Sequence, residues 1–125
     1  MNCSDKQQLK LSLEICSNDG VTVVYCRGRI SYREEATALS ETVSDLLLQC
    51  RHVVLELSAV ETIDSAGLGE LVVILMWARA CQCSIKLAAP PIQVRNEIQL
   101  MNLDSVFEIY PTLNDAASAC RVQAA

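Results

Sequence analysis

The hydrophobic pattern changes its period near the N-terminus, and this change limits the folds that the chain can adopt. Between residues 9 and 15 apolar and polar residues alternate, which is the period of a β-strand with one face in solvent. Asp19-Gly20 then predicts a tight hairpin turn, so residues 21–26 are expected to return as an antiparallel strand. After Gly28 the apolar residues recur at helical spacing. A helix is therefore expected to follow the hairpin.

The rest of the chain alternates short strands with helices. Strands are predicted over residues 53–57, 85–88 and 106–110, and one intervening helix ends near Ala80. Pro90 and Pro91 are expected to open a helix, and a last helix starts near Thr112. Because helical crossovers join parallel strands, the sequence predicts one α/β domain over residues 1–125. Its ordered core is expected over roughly residues 8–121, with a mixed sheet, an N-terminal hairpin and about four helices packed on the sheet.

The predicted helices also indicate which side chains are buried. In the first helix the acidic residues Glu34 and Glu35 are expected on the outer face, where negative charge suits the helix N-terminus. The helix after the prolines is expected to bury Val94, Ile98 and Met101.

Composition excludes several classes of function. The formal net charge of -5 has the wrong sign for a protein that binds nucleic acid by neutralising phosphates. The longest strongly apolar run covers residues 71–78, much shorter than the roughly 20 residues that span a bilayer. We therefore expect a cytoplasmic protein without membrane insertion. Its cysteines are expected to be reduced thiols: Cys3, Cys16, Cys26, Cys50, Cys81, Cys83 and Cys120.

The segment from Thr62 to Glu70 does not fit ordinary helix formation. It joins a strand to an apolar helix and carries two glycines in the first turn, each costing about 1 kcal/mol relative to alanine. In one interpretation Asp64 or Ser65 is only an N-cap residue. In the other, Ser65 is a phosphoacceptor, since backbone donors and the helix dipole favour a phosphate at this position.

The residues from Asp64 to Gly69 resemble the signature of the STAS domain, the bacterial anti-sigma factor antagonist family. They follow a Val-Val-Leu-Glu-Leu strand and precede an apolar helix, as in that family. The resemblance also covers the hairpin, the loop at residues 28–30 and the later strand-helix units, and so nearly the whole chain.

The resemblance implies partner switching through phosphorylation. In this family the serine after the aspartate is phosphorylated by an anti-sigma factor that is also an ATPase-type serine kinase, and a serine phosphatase removes the phosphate. The unphosphorylated antagonist binds the kinase and frees the sigma factor. Ser65 would then be the phosphoacceptor of a non-enzymatic protein without cofactor, metal or small-molecule substrate. The implied partner-binding residues are Asp64, Ser65, Ala66, Gly67, Leu68, Gly69, Gly28, Arg29 and Ser31.

The sequence departs from the family pattern in two ways. Arg29 and Ser31 stand where many members carry an acidic residue after the loop glycine, which puts the identity of the partner in doubt. Ala66 stands where members often have a second hydroxyl residue, so apart from Thr62 only Ser65 offers a hydroxyl at the turn.

Other functions remain as alternatives. The chain could be a STAS scaffold without a switch, in a stress-sensing assembly or as an accessory subunit of a lipid transport ATPase. A small hydrolase using Ser65 is disfavoured, because no Gly-x-Ser-x-Gly elbow is present.

The remaining candidate residues are expected to have structural roles. His52 is expected to be a surface residue at the edge of a strand, and Trp77 is expected to pack against its neighbours. Cys81 and Cys83 lack the second pair of ligands that a structural zinc site requires. Cys16, Cys26 and Cys120 are expected to be buried.

Overall fold

The computed structural model describes residues 10–124, and its fold begins with the predicted hairpin. Strand β1 (Leu11–Asn18) pairs antiparallel with β2 (Val21–Ile30). Asn18 is opposite Val21, so the turn consists of Asp19 and Gly20, with φ values of 53° and 79°. Positive φ at both positions is typical of a type I′ turn, whose twist matches that of the strands.

The remaining elements alternate as predicted. The sheet has five strands in chain order, and every pair except β1–β2 is parallel. The predicted mixed sheet with an N-terminal hairpin is thus confirmed. The elements after β2 are α1 (Tyr32–Leu47), β3 (His52–Ile63), α2 (Ser65–Ala80), β4 (Ser84–Ala88), α3 (Ile92–Leu100), a 3-10 helix (Leu103–Ser105), β5 (Glu108–Tyr110) and α4 (Leu113–Ala124).

The helices cover both faces of the sheet. On one face, buried side chains of α1, α2 and α3 form the main core with β2, β3 and β4, including Leu39, Leu71 and Ile98. On the other face, Ala116 and Cys120 of α4 pack on Val23 and the neighbouring strands. Parallel strands covered on both faces explain why these segments are almost continuously apolar.

Several local predictions are wrong. Strand β3 runs on to Ile63, beyond the predicted residue 57, because its outer half continues to pair with β2. Met101 is 55% exposed, since α3 ends at Leu100 and Asn102 takes a left-handed conformation. The last strand starts only at Glu108, and Val106 lies in the preceding turn.

The burial of the cysteines is only partly as predicted. Cys26 and Cys120 are buried, but Cys16 is exposed, because β1 is an edge strand beyond the part of the sheet that α4 covers. All six cysteines of the described part of the chain are free thiols, and Cys3 lies outside the described residues.

Candidate functional site

Ser65 lies where two parallel strands end side by side. Ile30 and Ile63, the last residues of β2 and β3, are paired, and the Asp64 N–H donates to the Ile30 carbonyl oxygen at 3.4 Å. Ser65 is the first residue of α2, and it is exposed. The carboxyl ends of parallel strands are a common location of functional residues in α/β sheets.

Asp64 caps α2 and also holds the loop before α1. Its Oδ1 accepts a hydrogen bond from the Gly67 N–H at 3.0 Å, and its Oδ2 accepts one from the Tyr32 N–H at 2.9 Å. Burial acts to raise the pKa of Asp64, but these backbone hydrogen bonds outweigh it, so the pKa lies below the usual value. The carboxylate is therefore ionised at neutral pH and links the first turns of α1 and α2.

Gly67 and Leu68 shape the turn from the inside. A Cβ atom at Gly67 would clash with the carbonyl oxygen of Ile30 and would lie 2.7 Å from Cγ1 of Ile63. Only glycine lets α2 approach the strand ends this closely. Leu68 is 2% exposed and belongs to the main core. Of the signature residues, Ser65 and Gly69 are exposed and Asp64 and Ala66 are half-buried.

A second carboxylate, Glu35, organises the loop between β2 and α1. It is 2% exposed, so its predicted place on the outer face is wrong. Glu35 stands one and two helical turns before Leu39 and Val43, both fully buried, and this spacing was the signal for its burial. Its carboxylate accepts hydrogen bonds from the Lys10 N–H at 2.8 Å, the Ser31 N–H at 3.2 Å and Nε of Arg29 at 3.2 Å.

Gly28 and Arg29, expected in a loop at residues 28–30, belong to the end of β2, because β2 pairs with β3 as far as Ile30. Only Ser31 lies between β2 and α1, and the three residues differ in exposure. Gly28 has a φ of 107°, and a Cβ there would clash with the Lys10 carbonyl oxygen. Ser31 is buried, so its side chain offers little surface to a partner. The Arg29 side chain is 35% exposed, and its guanidinium lies 4.6 Å from the centroid of the Tyr32 ring.

Tyr32 is a site residue that the sequence did not reveal. It is 58% exposed and has a φ of 64°, an unfavourable conformation for a residue with a Cβ. The Asp64 carboxylate holds its N–H, and the Arg29 guanidinium covers its ring. No pattern of types or spacing marks this position, because the contacts arise only when the ends of β2 and β3 meet.

Chemically, the site presents a hydroxyl without a neighbouring base. Both oxygens of Asp64 already accept backbone hydrogen bonds, and its low pKa makes it a poor base. Within residues 10–124, no three His, Cys, Asp or Glu side chains are placed to hold a metal ion. The longest helices in that range, α1 and α2, have 16 residues each, so none of the described helices could span a bilayer.

The other residues considered in the sequence lie elsewhere. His52 is 8% exposed, so the expectation of a surface histidine is wrong; its Nδ1 lies 2.8 Å from Oγ of Ser84 on the adjacent strand. Burial and the nearby Lys86 lower the pKa of His52. Trp77, expected to pack, is 42% exposed. Cys81 is exposed, and the half-buried Cys83 thiol donates to the Cys50 carbonyl oxygen at 3.3 Å.

Comparison with known proteins gives consistent results. The family model described as the STAS domain matches residues 12–116. A crystal structure of an anti-sigma factor antagonist from Mycobacterium paratuberculosis is 31% identical, with a TM-score of 0.80, and the match covers 89% of this chain and 94% of that one.

More distant structures share the fold. The anti-sigma factor antagonist SpoIIAA in its unphosphorylated form is 18% identical (TM-score 0.72; 89% of this chain, 96% of that one). The Bacillus cell fate determinant SpoIIAA in its phosphorylated form is 16% identical (TM-score 0.66; 88% and 98%). A sulfate transporter family protein from Wolinella succinogenes is 10% identical (TM-score 0.70; 86% and 89%).

Proposed function

Because this chain belongs to the STAS domain family, we propose that it is an anti-sigma factor antagonist controlled by phosphorylation of Ser65. When Ser65 is unphosphorylated, the protein binds an ATPase-type anti-sigma factor that is also a serine kinase, and the sigma factor is released. Phosphorylation ends this binding, and a serine phosphatase restores it. The protein works in the cytoplasm as a binding module without catalytic activity of its own.

The observation that carries this proposal is the exposed Ser65 hydroxyl on the first residue of α2. A kinase can reach it without unfolding the chain, because no hydrogen bond holds the hydroxyl within the described residues. The neighbouring Asp64 carboxylate is taken up by backbone hydrogen bonds. These features support Ser65 as the acceptor of a phosphoryl group from another protein and not as a nucleophile that attacks a substrate.

Electrostatics explains how the phosphate can act without disrupting the fold. A phosphoserine adds about -1.5 to -2 charges at neutral pH. At the first position of α2 the positive end of the helix dipole favours these charges, while the Asp64 carboxylate opposes them. The fold retains its core contacts, and the charge changes only the surface that a partner meets.

That surface consists of the exposed members of the predicted set. Ser65 and Gly69 are exposed and can touch a partner, while the half-buried Arg29, Asp64 and Ala66 border them. The buried Gly67, Leu68 and Ser31 act indirectly, as does Gly28, since they fix the turn and the loop. In a close interface, a phosphate at Ser65 would lose its hydration without gaining a partner. An unpaired buried charge costs several kcal/mol, so binding is lost.

The experiment uses purified ATPase-type anti-sigma serine kinases from the source organism, each incubated with this protein and ATP. Mass spectrometry is expected to find phosphate at Ser65, and the Ser65→Ala variant is expected to remain unmodified. Thr62→Ala is the matched control, because Thr62 is also exposed and lies three residues away, and it should be phosphorylated like wild type. Phosphate on another residue, or on none with any of the kinases, contradicts the proposal.

A binding measurement separates the switch from a scaffold. Ser65→Asp is expected to weaken binding to the same kinase, whereas Thr62→Asp should bind as wild type does. If Ser65→Asp binds with unchanged affinity, the switch is wrong and a STAS scaffold or transporter accessory subunit becomes the better assignment.

A further inference from the structure

Helix α2 is apolar on the side that faces solvent as well as on the side that faces the core. Met76 is 62% exposed and Trp77 is 42% exposed. The charged residues of α2 are Glu70 and Arg79, at the borders of this exposed side. A surface helix ordinarily carries its polar residues there, and a helix that is apolar all round is ordinarily buried. The outer face of α2 is formed by Ala66, Gly69, Val73, Met76, Trp77 and Ala80.

The spacing on this face is that of a helix-packing seam. Ala66, Gly69, Val73, Met76 and Ala80 are separated by three, four, three and four residues. This is the spacing by which two helices pack side chains between one another. A Cβ at Gly69 would meet no described atom within 4 Å, so the helix surface has an open depression there. The seam therefore fits another helix that brings a bulky side chain to Gly69.

The same face supplies that side chain at the matching position. In an antiparallel pair of α2 helices centred on Val73, Gly69 of each copy lies opposite Trp77 of the other, because each is four residues from the centre. We propose that two copies of this chain associate through the outer faces of α2, with the indole of Trp77 over Gly69 in both directions. Such a two-fold contact is self-complementary, as in most homodimers.

Charge favours this face over other surfaces for self-association. Each chain has a formal net charge of -5, so two copies repel one another through most surfaces. Between Glu70 and Arg79 the helix carries no ionisable side chain, so contact here brings no carboxylates together at its centre. The uncharged stretch of α2 therefore coincides with the exposed apolar residues Met76 and Trp77.

The size of the face sets the strength of the dimer. A 16-residue helix is about 24 Å long, and one helix from each copy buries less than the roughly 800 Å² per partner of a standard interface. The dimer is accordingly weak and reversible. Ser65 lies eight residues from Val73, about 12 Å along the helix, and so stands at the end of the contact. The dimer does not rest on the proposed function.

Sedimentation velocity of the protein alone, in reductant and over a range of concentrations, tests the dimer. Wild type is expected to shift from monomer to dimer as its concentration rises. Gly69→Leu and Trp77→Ala should weaken this association by about tenfold or more, the effect of losing a central anchor. Gly69→Leu keeps the fold, since the position is open, and circular dichroism checks this for both variants. Leu100→Ala is the control: Leu100 is 74% exposed on α3, and the variant should associate like wild type.

Two results would overturn the dimer. One is a wild-type protein that stays monomeric at every concentration; the other is a dimer that Gly69→Leu leaves intact. If wild type is monomeric while Trp77→Ala weakens kinase binding, the face serves a different protein and the dimer is wrong. A failure of phosphorylation at Ser65 leaves the sedimentation result unaffected, so the two proposals fail separately.

Discussion

Replacing Gly67 with alanine should destabilise the protein, although alanine is the better helix former. A Cβ at this position would clash with the Ile30 carbonyl oxygen and would lie 2.7 Å from Cγ1 of Ile63 and 2.9 Å from Cγ2 of Ile30. The carbonyl belongs to the end of β2 and accepts from the Asp64 N–H, so it cannot move without disturbing the signature turn.

The magnitude follows from two opposing contributions. Overpacking costs about 1–3 kcal/mol, and the upper value applies here because one of the contacts is backbone. The helix propensity of alanine returns about 1 kcal/mol. We therefore expect Gly67→Ala to lower the free energy of unfolding by about 2 kcal/mol.

Gly69→Ala is the matched control, since both glycines lie in the first turns of α2. A Cβ at Gly69 meets no described atom within 4 Å, so this variant should be more stable than wild type by about 0.5–1 kcal/mol. Urea unfolding of the two variants and wild type measures the difference. If Gly67→Ala is as stable as Gly69→Ala, then α2 does not approach the strand ends closely at Gly67.

Three further predictions concern titratable groups. Asp64→Asn should be less stable than wild type at neutral pH. Because the folded pKa of Asp64 is below its unfolded value of about 3.9, wild type loses this advantage as the pH falls through the folded pKa. A stability difference between the two proteins that is the same at all pH values would contradict the prediction. Glu35→Ala should cost about 2 kcal/mol in urea unfolding, since it removes the partner of Arg29, of the Lys10 N–H and of the buried Ser31 N–H, whereas Glu34→Ala at the exposed neighbouring position should cost little. The folded pKa of His52 is also lowered, so wild type should lose stability as the pH falls below about 6.5. His52→Gln should lose less stability over this pH range in thermal unfolding, and an equal loss in both proteins would count against the prediction.

The order and type of the elements could be predicted because periodicity is a local property. Each of these signals depends on residues that are close together in the sequence, as for the Asp19-Gly20 turn, the helix end near Ala80 and the cap at Thr112. Thr112 indeed accepts a hydrogen bond from the Asp115 N–H at 3.0 Å. The end of β3 at Ile63 could not be predicted, because it depends on pairing with residues more than thirty positions away in β2.

The site was predictable where it is contiguous in the sequence and unpredictable where it is not. Residues 64–69 mark the turn by themselves. The roles of Glu35 and Tyr32 depend on contacts between β2, α1 and the start of α2, including the hydrogen bond from the Tyr32 N–H to Asp64 across 32 positions of the chain. Trp77 is expected from the sequence to pack, as a tryptophan on an apolar helix usually does, but it is 42% exposed. Because exposed apolar patches mark interaction sites, its exposure indicates an interaction surface.

We expect a phosphate on Ser65 to decide whether the protein binds its partner. Isothermal titration of the anti-sigma serine kinase with unphosphorylated protein, and with protein stoichiometrically phosphorylated at Ser65, measures this directly. Since a desolvated charge costs several kcal/mol, the phosphorylated form should bind about 100-fold or more weakly. Equal affinities of the two forms would rule out control of binding by phosphorylation.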